Sequence, residues 1–174
     1  MRPVVLLVVL LVLASSAAPR QLATTDLRGI EQLAQRYFER RADKVTNLAW
    51  QPGFGVPTTE TFAAQLRVDE AKLERGRERR RAFPTGGYSR ARVTTTPRRT
   101  HVDHDGSVVM HLYEVTDLYF EKSPTFNYSS YGMAHVLIFS PSADGWLLAA
   151  STRAPGAVCK VPPETQFCGH GSER

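Results

Sequence analysis

The chain has 174 residues, of which 42% are hydrophobic, 22% charged and 9% aromatic, and its formal net charge is +5 at pH 7. These values exclude disordered, collagenous and multi-span membrane classes and leave room for one domain of roughly 100–150 residues. With two cysteines, a disulfide-dense miniprotein is also excluded.

The first residues divide into a basic start at Arg2, an apolar run from Val4 to Ala14, and the small-residue stretch Ser15-Ser16-Ala17-Ala18 before Pro19. That order is the pattern of a secretory signal peptide. A membrane-spanning helix needs about 18–20 apolar residues, and this run ends after roughly a dozen. Small residues at Ser15 and Ala17 place the cut after Ala17, so residues 1–17 are expected to form a leader and 18–25 a spacer. Export puts the chain in an oxidising space, where Cys159 and Cys168 are expected to form a disulfide rather than reactive thiols or metal ligands. Closing that loop contributes roughly 2–3 kcal/mol by the loop-entropy estimate. It staples a tail over 154–174, in which Val161-Pro162-Pro163 continues neither a helix nor a central strand.

Leu27, Ile30, Leu33, Ala34, Tyr37, Phe38 and Arg41 recur at the spacing of an amphipathic helix. Thr24, Thr25 and Asp26 offer capping oxygens at its start, and Arg36, Arg40, Arg41 and Lys44 load its far end with positive charge. Two prolines and two glycines between Gln51 and Pro57 enforce a loop. A second helix is expected from about Thr59 to Arg81, anchored by a narrow stripe of Phe62, Leu66 and Leu73.

From Tyr88 the period becomes alternating. Ser89 to Thr96 reads as a strand, with Pro97 marking an edge or a bulge. Asp103-His104-Asp105-Gly106 is a turn signal, and Ser107 to Phe120 follows as a long strand. After a polar loop through Pro124 and Asn127, Ala134 to Phe139 and Trp146 to Thr152 read as a hairpin with a six-residue loop, 140–145.

Helices segregated from a meander of about four strands make an α+β domain over 26–153. A sheet bent around one helix would form a cone. Tyr37-Phe38-Glu39-Arg40-Arg41-Ala42 on the first helix, with the closing hairpin His135-Val136-Leu137-Ile138-Phe139 and Gly145-Trp146-Leu147-Leu148, resembles the nuclear-transport-factor-2-like, or cystatin-like, cone fold. More specifically, it is similar to a module of secreted actinobacterial proteins that follows a signal peptide and precedes a predicted amidase domain. The resemblance spans Asp26 to Arg153, and little sequence follows it before Arg174. It therefore implies a stand-alone accessory module without the hydrolytic activity.

Three constellations are candidates for chemistry. His101, Asp103, His104 and Asp105 include zinc-type ligands. Alternation sends neighbouring side chains to opposite faces, however, and a hairpin turn needs these residue types anyway. A solvated turn is the preferred reading, and neither metal nor cofactor is expected. On the long strand His111, Tyr113 and Asp117 share a face, with His135 on a neighbouring strand, and a buried acid or imidazole beside a phenol would serve as a general base. The opposite face, Val108, Met110, Leu112, Leu118 and Phe120, is the more apolar choice for the interior and would leave the His111 face to solvent or a partner. Arg77, Arg79, Arg80 and Arg81, with Arg75, Arg90 and Arg92 nearby, form a candidate polyanion patch. Glu70, Glu74 and Glu78 interrupt the run and no aromatic residue is interleaved, so a solvated helix face is preferred and nucleic acid is disfavoured.

The leading expectation is thus a secreted, non-enzymatic binding or accessory module acting at the cell surface or outside the cell. Its partner would be a protein, a cell-wall polymer or a small ligand, with no membrane anchor after cleavage. The alternative is an isomerase-, cyclase- or hydratase-type enzyme with His111, Asp117 or His135 as base in a roomy cone. The export reading is checked by intact mass. The secreted chain should begin at Ala18 and weigh two hydrogens less than the dithiol, whereas a retained leader or two alkylatable thiols would refute it.

Overall fold

The computed structural model describes residues 22–123, 125 and 127–155. The expected leader, the Cys159–Cys168 pair and the tail beyond 155 lie outside the described residues.

Helix α1 (Thr24–Asp43) forms where Ile30, Ala34, Tyr37, Phe38, Arg41 and Ala42 recur on one stripe, and all of these become buried. It starts earlier than the sequence suggests. The residue ahead of the first turn is Ala23, which offers no side-chain cap, so Thr24 and Thr25 lie inside the helix. Asp26 sits in the first turn and accepts a hydrogen bond from Trp146 Nε1 at 3.3 Å. The following loop turns on Gly53 and Gly55, whose φ angles of 73° and 66° suit glycine. It is tied down by Lys44, whose Nζ donates to Gln51 O at 2.7 Å and pairs with Glu70.

Helix α2 (Glu60–Arg81) opens with Thr59 Oγ1 accepting from Phe62 N–H at 3.4 Å. Its buried stripe is narrow, as its spacing predicts, and alternates apolar Phe62, Leu66 and Leu73 with polar Asp69 and Arg77. The chain then forms β1 (Tyr88–Val102), β2 (Val108–Phe120), β3 (Tyr128–Ser142) and β4 (Gly145–Arg153), an antiparallel sheet in the order β1-β2-β3-β4. Over the described residues the protein is therefore α+β, with two helices and an open four-stranded sheet.

Three strands differ from their sequence-based bounds. β1 runs on through Pro97, because an edge strand can leave the missing N–H unpaired and the ladder shifts register between Pro97 and Arg99. β3 begins at Tyr128, well before Ala134, and its added residues alternate buried Tyr131 and Met133 with exposed Ser130 and Gly132. Gly132 makes room for Tyr113: a Cβ there would lie 2.7 Å from the ring's Cζ, so the tyrosine would have to move. The β3–β4 hairpin is tighter than six residues. Pro141 pairs with Trp146 and Ser142 with Gly145, leaving Ala143 and Asp144 as the turn.

The inner sheet face carries Val108, Met110, Leu112, Leu118, Leu137 and Phe139, all at most 1% exposed, against the apolar stripes of both helices. At the opposite end of β2, Asp105 Oδ1 accepts from Ser107 N and Oγ, so that carboxylate serves the hairpin turn.

The free edge of β1 is covered by one side chain. Gln35 Nε2 donates to Val93 O at 2.9 Å and Gln35 Oε1 accepts from Thr95 N–H at 3.0 Å, so the carboxamide stands in for the peptide group of a neighbouring strand. Gln35→Leu keeps the bulk and removes both bonds. It should lower stability by about 1–2 kcal/mol in urea unfolding; an unchanged midpoint would show that this edge is not held by Gln35.

Candidate functional site

The apolar inner row of β2 is broken by two polar side chains, Glu114 and Thr116, both 0% exposed. An isolated carboxylate cannot stay ionised in such a place. Its partners come from three elements. Arg41 on α1 reaches both oxygens through Nη2, at 2.8 Å to Oε1 and 2.6 Å to Oε2. Thr116 Oγ1 donates to Oε1 at 2.7 Å, and His135 Nε2 on β3 lies 2.7 Å from Oε2. Arg41 and His135 are 2% and 3% exposed. Phe38 is wedged beside both, with the Arg41 guanidinium 4.7 Å from its ring centre and the imidazole at 4.6 Å.

Electrostatics follow from this packing. Burial alone would raise the Glu114 pKa, but Arg41 and the His135 hydrogen bond outweigh it and bring it down to about 2. Burial lowers the His135 pKa, and the adjacent Arg41 charge pushes the same way. The imidazole is thus neutral at pH 7 and donates its Nε2 proton to Glu114. One cation, one anion and one neutral ring leave the cluster uncharged overall.

Such a carboxylate is a poor base, since both its oxygens are occupied and its proton affinity is low. The structure also separates the residues expected to cooperate. His135 pairs with Leu112 on the inner face, whereas His111, Tyr113 and Asp117 lie on the outer one, opposite Val136, Ala134 and Ser130. His111 stacks near His101 with ring centres 6.4 Å apart, and Tyr113 lies over Gly132. The space between helices and sheet, where the enzyme alternative would place a base, is filled by Met110 and Leu112, with Trp146 packed against the same core.

The arginine run of α2 is corrected too. Arg77 is buried: its guanidinium sits 4.9 Å from the Trp50 ring centre and Nη1 donates to Leu48 O at 3.2 Å. Arg80 lies over Tyr88 and donates to its hydroxyl, and Arg81 Nε donates to Asn47 Oδ1 at 3.0 Å. Of the expected patch, Arg79 and Arg81 remain exposed, Arg81 while bonded to Asn47. Arg77 is drawn in by Trp50 and the Leu48 carbonyl of the preceding loop, and Arg80 by Tyr88 at the start of β1.

Sequence reasoning missed Glu114 and the burial of Arg41. A signal for both was present, since Arg41 falls on the buried stripe of α1 and Glu114 in the inward row of β2.

An open groove of about 450 Å³ runs between α1 and β1, lined among others by Arg28, Glu31, Arg36 and Glu39. Its charges balance, and it includes none of the expected catalytic residues. The outer sheet face is different in kind. Both helices pack on the inner side, and Tyr113, Val115 and Tyr128 stand 37%, 37% and 51% exposed.

No family model and no curated protein matches the chain. Among solved structures, the intermembrane space region of the chloroplast protein ARC6 is 13% identical, with a TM-score of 0.40 over 78% of this chain and 98% of that one. A conserved protein from Planctomyces limnophilus DSM 3776 is 12% identical, with a TM-score of 0.40 over 76% and 100%. Likeness at this level assigns neither a family nor a function.

The buried cluster predicts acid sensitivity with a definite sign. Glu114 binds its proton more weakly folded than unfolded, so its contribution, about 3 kcal/mol, is complete above its ordinary pKa of 4.5 and is lost as pH falls towards 2. His135 adds a loss in the same direction, beginning below its ordinary 6.5. Glu114→Gln leaves Arg41 buried without its counter-charge and should cost about 3–5 kcal/mol. Its unfolding free energy should also fall less steeply between pH 4.5 and 2, because the share due to Glu114 is gone. Urea titrations of both proteins across that range check this; parallel profiles would refute the assignment.

Proposed function

We propose that the protein is an exported, non-enzymatic binding module, acting at the cell surface or outside the cell, whose contact surface is the outer face of its sheet. In this reading the helices and sheet form the cone of the nuclear-transport-factor-2-like or cystatin-like class. The apolar leader pattern from Val4 to Ala14 supports export.

The observation that carries the reading is the closure of the interior. The side chains able to handle protons there, Glu114 and His135, are sealed from solvent and committed to one another and to Arg41. A substrate has no approach to them. The outer face instead presents side chains held in place. The Tyr113 ring is seated in the notch left by Gly132, and Tyr119 and Tyr128 pack with ring centres 5.4 Å apart. Exposed apolar and aromatic side chains grouped on one face mark contact sites on soluble proteins. His111, Tyr113 and Asp117 are then parts of a contact surface, as expected when the apolar opposite face of β2 is taken for the interior, and not the proton-handling set of the alternative.

Site-specific photocrosslinking in the producing cell tests this. A benzoylphenylalanine in place of Tyr113 should give a discrete adduct with a partner, while the same label replacing Val68, 54% exposed on α2, should not. Identical adduct patterns from the two sites, or none from the Tyr113 position, would overturn the assignment of the face.

A further inference from the structure

The outer face is unevenly charged. Register places Arg90, Arg92 and Arg99 of β1 beside Tyr119, Asp117 and His111 of β2. Arg98, at the register shift, extends over Tyr113 with its guanidinium 6.0 Å from the ring centre. All four arginines are exposed. Asp117 is the carboxylate that the paired registers place on this face, and among the described residues no carboxylate lies within ion-pair distance of any of the four. The neighbouring row is apolar: Val109 and Val115 on β2 face Ile138 and Gly132 on β3. The face is therefore a cationic margin along an edge strand next to an apolar floor.

We propose that this face docks an extended acidic segment of a partner protein, with carboxylates along the β1 arginines and apolar side chains on the floor around Tyr113 and Val115. The inference rests on the reading of the outer face as the contact surface and names its partner's chemistry. Arg90 and Arg92 are alternate strand residues, roughly 6.6–6.8 Å apart along the chain, which is also the repeat of same-side carboxylates on an extended peptide. Arg90 lies flat on Tyr119, its guanidinium carbon 3.5 Å from the ring centre. Stacking restrains the fork and leaves its in-plane N–H donors free for a carboxylate.

The same geometry argues against other occupants. Because Arg90 covers the exposed face of Tyr119, a nucleic-acid base cannot stack there without displacing it. A second copy of this chain would bring a net charge of +5 and, in a two-fold contact, the same arginine margin. A hydrophilic anionic polymer would leave the apolar floor unused. Addition of a strand at the β1 edge is blocked at Val93 and Thr95 by Gln35, so the segment lies on the face.

Fluorescence anisotropy with the purified protein tests the proposal, using a labelled peptide alternating glutamate and valine, its lysine–valine counterpart, and single-stranded oligothymidylate. The glutamate peptide should bind, and binding should weaken with added salt. The Arg90→Ala/Arg92→Ala double variant should bind it roughly tenfold more weakly or worse, and so should Arg98→Ala/Arg99→Ala. Arg67→Ala, an exposed arginine on α2, should bind as the parent does. Thermal melts of the variants should match the parent, since all these side chains are exposed. Preference for the lysine peptide or the oligonucleotide, arginine variants that bind undiminished, or no binding of the glutamate peptide would each overturn the proposal. A crosslink from the Tyr113 position together with any of those results would leave the contact surface in place and remove only its acidic partner.

Discussion

The ion pair between Arg41 and Glu114 is the constraint on which the arrangement of elements depends. A carboxylate with no solvent exposure is tolerated only when its counter-charge and donors arrive in one geometry. Here they arrive from α1, from β2 itself and from β3. Turning α1 by one residue about its axis would carry Arg41 off the stripe that faces the sheet and strand Glu114 in an apolar row. Slipping β2 by one residue would turn Glu114 outwards and bring its neighbours Tyr113 and Val115 inside. An apolar set of the same volume would pack as well, but it would not penalise those alternatives so heavily. The cluster therefore penalises these alternative packings as well as stabilising the native one.

This constraint also determines where function can reside. The cluster sums to zero charge and shuts its members away from water, so the chain's excess of positive charge lies elsewhere. Part of it is absorbed structurally: Arg77 and Arg80 lie against aromatic rings, and Lys44 is held between the loop and Glu70. The arginines of β1 remain directed outward on the sheet face that neither described helix covers.

Much of the scaffold was legible in the sequence, because an apolar stripe at helical spacing and an alternating strand are local signals. α1 and β2 carry these, and the preferred inward row of β2 is the one that packs against the helices. The polar members of those patterns stood on the buried stripes, but their pairing was not legible. Glu114 and Arg41 are 73 residues apart in the chain, so neither justifies the other until tertiary structure brings them together. The first half of β3 was hidden for a related reason. Gly132 reads as a loop residue until Tyr113 on the adjacent strand is seen to occupy the space a side chain would need. Pairing decides the candidate site in the same way. His135 shares the inner face because it stands opposite Leu112, and that register separates it from His111, Tyr113 and Asp117.

An exposed, partly apolar sheet face next to an open edge invites self-association, and this chain guards both edges of its sheet. On β1 the edge is interrupted by Pro97 and a register shift, capped by Gln35, and flanked by arginines. On β4 the Leu148 backbone is taken by Pro57 and Thr59, through bonds of 2.9 and 3.2 Å. Each device spends backbone hydrogen-bonding capacity at an edge while leaving the side chains of the outer face untouched. Recognition by strand addition is thereby discouraged at these positions, and recognition by side chains is left open. On the contact surface proposed here, charge sign and spacing belong to four arginines on one strand.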